Sequence, residues 1–149
     1  MKKWKFSLET VRTLKKRIED EAAQKHSRAL ILLGRAKSEL AETENELNGV
    51  ALMQFSKRSS RNAQDLMQFN QYFELLEKRR KERLEAVLRA EKETTLARAS
   101  LEKAARDREI LERLYGRQRS AHEFHVARQE QKWVDEIAQQ IKRGLLSAV

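Results

Sequence analysis

SKRSSRNAQD, residues 56–65, is the strongest turn signal in the chain. It holds no large apolar residue, pairs Ser59 with Ser60, and ends on Asn62 and Asp65. Asn and Asp side chains accept backbone N–H bonds at helix starts, so a helix is expected to begin there. Upstream, apolar residues recur every three or four positions: Trp4, Leu8, Val11, Leu14, Ile18 and Ala22, then Ala29, Leu32, Ala36, Leu40, Leu47 and Val50. Downstream the stripe resumes at Leu66, Phe69, Phe73 and Leu76 and passes through Leu84, Val87, Leu96 or Ala97, Leu101, Ala104, Leu111 and Leu114. This is the helical period, and two-residue alternation is nowhere sustained. The spacing predicts helix 1 over about 4–56, a turn over about 57–62 and helix 2 over about 62–143, forming a single coiled-coil domain across residues 1–149. Leu30–Leu33 is continuously apolar and is read as a local broadening of the core, the alternative being an exposed contact patch.

Composition agrees. The 149 residues include no proline and four glycines, and 37% are charged. Proline breaks helices and glycine weakens them, whereas Glu, Lys, Arg, Ala, Leu and Gln lose little freedom in one. Such a mixture marks long helices and coiled coils. The fold class expected is all-α, a long antiparallel two-helix coiled-coil hairpin with helix 2 overhanging helix 1. If the turn centres near residue 60, Trp4 lies opposite roughly residue 116. Helix 2 beyond Gly116 then has no partner from its own chain. That overhang carries Phe124, Val126, Trp133, Val134, Ile137 and Ile141. Isolated amphipathic helices are marginal in water, so it requires a second copy or another protein.

Several chemistries are excluded or disfavoured. Without cysteine there is no disulfide or thiolate, a usage that fits the cytosol. No apolar core follows the basic MKKWKF start, and no window reaches the ~18 apolar residues of a membrane span. His122 and His125 flank Glu123 at a spacing that puts them on one helix side, yet a zinc site needs a third ligand and His26 is far along the helix. No phosphate loop is present, and two helices cannot readily enclose a substrate. The chain is therefore read as no enzyme, with no cofactor, metal or small-molecule substrate. The formal charge of +9 admits nucleic acid, anionic lipid or an acidic protein as partner. Acids interrupt the basic runs, however (Glu9, Glu19, Glu74, Glu77, Glu82), and no base-reading cluster precedes a heptad. Most of this charge is read as a solvated face. Phe69, Tyr72 and Phe73 crowd the start of helix 2. If Phe69, Phe73 and Leu76 follow the core stripe, Tyr72 points outward beside Leu76 or Leu75.

The start from Trp4 to Val11 with its LETV, RIEDEAA (17–23), QYFELLEK (71–78) and RQEQKWVDEIAQ (128–139) together resemble the FliJ family of the flagellar type III export apparatus. The resemblance spans most of the chain. It implies a non-enzymatic two-helix coiled coil similar to the central stalk of rotary ATPases. Its implied partners are the hexameric flagellar export ATPase, the cytoplasmic domain of the export gate protein, and export chaperones. The implied location is cytoplasmic, peripheral to the inner-membrane export apparatus. Carried over by position, the gate contact falls on Tyr72 and Leu76, read as outward anchors. Helix-1 positions of that surface stay unassigned, because Ser38–Val50 lacks the family's tyrosines. The ATPase contact combines the N-terminal basic stretch with Gln131, Lys132, Asp135 and Glu136, around the Trp133 of the overhang. The alternatives are an escort for export chaperones, the equivalent stalk of a virulence secretion system, or a basic coiled coil binding nucleic acid or a membrane surface.

Overall fold

The computed structural model describes residues 3–56 and 62–149. Two helices account for nearly all of them, α1 (Glu9–Ser56) and α2 (Ala63–Ser147). They pack against each other as an all-α helical hairpin. Of the expected turn, only Asn62 lies among the described residues. Its side-chain Oδ1 accepts the Asp65 backbone N–H at 3.0 Å, capping α2, and Asp65 adds an acid to the first turn. The chain divides into two compact units, Glu19–Lys103 and Met1–Ile18 with Ala104–Val149.

In the unit Glu19–Lys103 the helices run antiparallel, as their contacts show. The Thr94 hydroxyl reaches the Ala29 carbonyl (3.4 Å), Lys37 pairs with Glu91 (3.8 Å), Arg83 bonds Thr43, and Arg80 meets Glu44 (3.6 Å). The seam is narrow and rich in small residues: Ala29, Leu33, Ala36 and Leu40 face Ala90, Thr94 and Ala97, all half-buried. Leu47, Leu76 and Val87 are buried, and so is Thr43. The Thr43 hydroxyl donates to the Glu39 carbonyl (3.1 Å) and accepts from Arg83, whose guanidinium also reaches the Glu39 carbonyl at 2.8 Å. No buried side-chain nitrogen or oxygen among the described residues lacks a partner.

Two expectations change here. Leu30–Leu33 is not a widened core: only Leu33 lies on the seam, and Leu30, Ile31 and Leu32 are exposed. Four consecutive helical residues sweep roughly 300°, and one partner helix covers a strip far narrower than that. Leu76 is fully enclosed, at 0% exposure, so it is no outward anchor. It follows Phe69 and Phe73 around the helix at seam spacing, which leaves Tyr72 and Leu75 outside.

In the other unit the opening of α1 lies along α2. Arg12 Nε donates to Glu112 Oε1 at 2.7 Å and its Nη2 to Oε2 at 3.1 Å, while Lys15 pairs with Asp107 at 3.7 Å. The seam thus passes through Arg12 and Lys15. Leu8 and Leu14, members of the apolar stripe read from the spacing, instead stand exposed with Val11 and Ile18. The helix is turned by about one residue, roughly 100°, because that rotation pairs two basic residues with two acidic ones.

The start of α1 also differs from the spacing, at Glu9 and not near residue 4. Residues 3–6 are non-helical and carry Trp4 and Phe6 onto α2. Phe6 is buried, edge-on to Tyr115 at 5.3 Å, and Trp4 lies 5.4 Å from Tyr115 and stacks on His122 at 6.0 Å. Arg12 rests over the Tyr115 ring at 4.1 Å. Trp4 therefore meets α2 beside residue 116, as the register requires.

The hydrogen-bonded Arg12 guanidinium holds the Glu112 carboxyl below its ordinary value of 4.5, and Glu112 in turn raises Arg12. A depressed carboxylate stabilises the fold above its unfolded pKa and loses that contribution as pH falls through the folded value. Both side chains are about a third exposed, so the pair is worth less than about 1 kcal/mol. Glu112→Gln should cost that little near pH 7, and the gap to wild type in urea unfolding should shrink as pH falls below the ordinary carboxylate range and through the folded value. A gap independent of pH would show that the charge is not what stabilises.

Candidate functional site

The aromatic cluster fixes where α2 stops being covered. Half-buried positions continue to His122 and Val126, and every residue from Ala127 to Val149 is exposed. Coverage reaches past Gly116 because residues 3–6 are non-helical. An extended residue advances about 3.3 Å, against 1.5 Å in a helix. The uncovered part of α2 is roughly 30 Å long at helical rise. Gly116 does not interrupt it, and Gly144, close to its end, is also helical.

This segment is amphipathic. Val126, Trp133, Val134, Ile137, Ile141 and Leu145 recur at three- and four-residue steps and share one side. Trp133 is 66% exposed. Lys132, Asp135 and Glu136 fall on the opposite side, and Gln131 Nε2 donates to Asp135 Oδ1 at 3.0 Å. All five residues expected to contact an ATPase, Gln131, Lys132, Trp133, Asp135 and Glu136, thus stand together on exposed helix. The two residues expected at the export gate do not: Tyr72 is 46% exposed while Leu76 is enclosed. Leu75, one turn from Tyr72, is exposed and shares its face. The spacing offered Leu75 or Leu76 as the neighbour of Tyr72, and the seam of Phe69, Phe73 and Leu76 decides for Leu75.

The histidines separate. His122 stacks on Trp4, whereas His125 Nε2 lies 3.0 Å from Gln129 Nε2 and Glu123 pairs with Arg119 at 2.9 Å. No group of three or more His, Cys, Asp or Glu among the described residues could hold a metal ion. No described helix is long and apolar enough to cross a membrane.

A two-helix coiled-coil hairpin whose longer helix runs on as a bare amphipathic segment defines a structural class. Within it the sequence is specific: residues 4–144 match the family described as Flagellar FliJ protein, and the chain belongs to that family. It is accordingly a component of the flagellar protein export apparatus. No curated protein matches the chain, and no solved structure does.

Proposed function

We propose that the chain is a non-catalytic stalk that couples the hexameric flagellar export ATPase to the cytoplasmic domain of the export gate, at the cytoplasmic face of the inner membrane. The observation that carries this reading is the bare apolar side of α2 around Trp133, in a segment of the family's own sequence. A helix this apolar is stable in water only when covered, and the channel of a ring would cover it. Exposed Val11, Leu14 and Ile18 on α1 add apolar surface in the same unit. Gln131, Lys132, Asp135 and Glu136 supply polar contacts from the other side of the same helix. Tyr72 with Leu75 offers the second contact, to the gate, while Leu76 acts beneath it by packing.

The test is a deletion. Removing residues 127–149 should abolish binding to the purified export ATPase and stimulation of its hydrolysis. Thermal melting of the remaining hairpin should change little, because the deleted segment makes no contact with α1. Retained stimulation would place the ATPase contact elsewhere.

A further inference from the structure

Between Ala22 and Ser38 α1 carries Lys25, Arg28, Arg35 and Lys37 and no acidic residue. At the centre of this span stand Leu30, Ile31 and Leu32, all exposed, with Ile31 at 56%. With the seam running through Ala29, Leu33 and Ala36, Ile31 points directly away from α2, and Arg28 and Arg35 lie one turn to either side of it. Lys37 is paired with Glu91, whereas Lys25, Arg28 and Arg35 form no ion pair with any described residue. On α2, the Ala29–Thr94 and Lys37–Glu91 contacts set the level, and exposed Leu96 stands there with unpaired Arg89. Ile31 and Leu32 thus form an apolar pair between two arginines that no described acid pairs, with Glu93 an exposed acid at this level of α2.

We infer that this surface docks an acidic amphipathic helix of a partner protein. Its apolar side covers Ile31 and Leu32, which stand between Arg28 and Arg35 along one strip of α1, and its carboxylates meet Lys25, Arg28 and Arg35. The charge specifies the partner's sign: bidentate guanidinium–carboxylate pairs form there at no cost in existing contacts. The arrangement of the leucines and isoleucine favours a protein helix over a bilayer. Ile31 and Leu32 make a short patch bounded by arginines, whereas a membrane-surface helix lays down a long one-sided stripe. The surface is separate from the Trp133 segment and from Tyr72, and it does not depend on the roles proposed for them.

The experiment uses the full chain and a labelled designed helical peptide, with Leu along one side and Glu flanking it, read by fluorescence anisotropy. Ile31→Ser and the double variant Arg28→Glu/Arg35→Glu should each weaken binding tenfold or more, with far-UV circular dichroism unchanged. Lys78→Glu/Lys81→Glu, an equal charge change elsewhere on the chain, should weaken it less than threefold. A peptide with Lys in place of Glu should not bind. The proposal is overturned if the two double variants weaken binding equally, since net charge alone would then explain it. It is overturned too if the peptide fails to bind, or if Ile31→Ser has no effect. Binding to phosphatidylglycerol vesicles that is lost in Ile31→Ser, with no binding of the peptide, would identify a membrane surface in its place.

Discussion

Leu76→Ala should be among the most destabilising single substitutions in this protein, costing about 2–5 kcal/mol. Leu76 has no exposure at all, and it belongs to a core with few members: among the described residues of its unit, Leu47, Leu76 and Val87 are the buried apolar ones. Removing three methylene-equivalents leaves a cavity beneath a seam only two helices thick, with no second layer to collapse into it. Against typical domain stabilities of about 5–15 kcal/mol, such a loss should show as a large shift in the denaturation midpoint of the 222 nm circular dichroism signal. Tyr72→Ala, one turn away and half exposed, should cost less than about 1 kcal/mol. Under the proposed function, Tyr72→Ala should still weaken binding to the export-gate domain. The pair separates packing from contact: one variant melts early, and the other stays folded and binds poorly. Leu76→Ala melting with wild type would mean that the leucine is not enclosed.

Trp133→Ala should do the reverse of Leu76→Ala. The indole lies on helix that touches nothing else among the described residues, so melting should be unaffected. Exposed aromatic anchors commonly contribute about 2 kcal/mol or more to an interface, which corresponds to roughly a thirtyfold loss of affinity. That loss should appear in titrations of the chain against the export ATPase, together with lower stimulation of hydrolysis. Amide hydrogen exchange gives an independent check. In the free protein residues 127–147 should exchange faster than residues 66–114, because the latter are held by packing against α1 and the former only by their own helix. Addition of the ATPase should slow exchange across 127–147. An unchanged affinity for Trp133→Ala would remove the tryptophan from the interface, and slow exchange in the free protein would mean that the segment is already covered.

Helical type, number and polarity were legible in the residues themselves. A chain without proline, with apolar residues every three or four positions and a single polar break holding Asn62, has few options besides two long helices. Asn62 caps α2 as its chemistry demands. Register followed from where the break falls, which is why Trp4 could be set beside residue 116 and Trp133 beyond the reach of α1. The exposed group Gln131, Lys132, Trp133, Asp135 and Glu136 was visible for the same reason. Which face of α1 turns inward over its opening turns was not legible. Adjacent residues on a helix differ by only about 100°, so Val11, Leu14 and Ile18 read as well for a seam as Arg12 and Lys15 do. The choice belongs to the partner helix. Glu112 and Asp107 draw the basic pair inward, and the alanines facing Ala29 and Ala36 admit so narrow a strip that Leu30, Ile31 and Leu32 are left in water. The same geometry encloses Leu76 and leaves Leu75 beside Tyr72. Pattern within one helix fixes that an apolar stripe exists; only the matching of two surfaces, with their charges and side-chain volumes, decides which residues it buries.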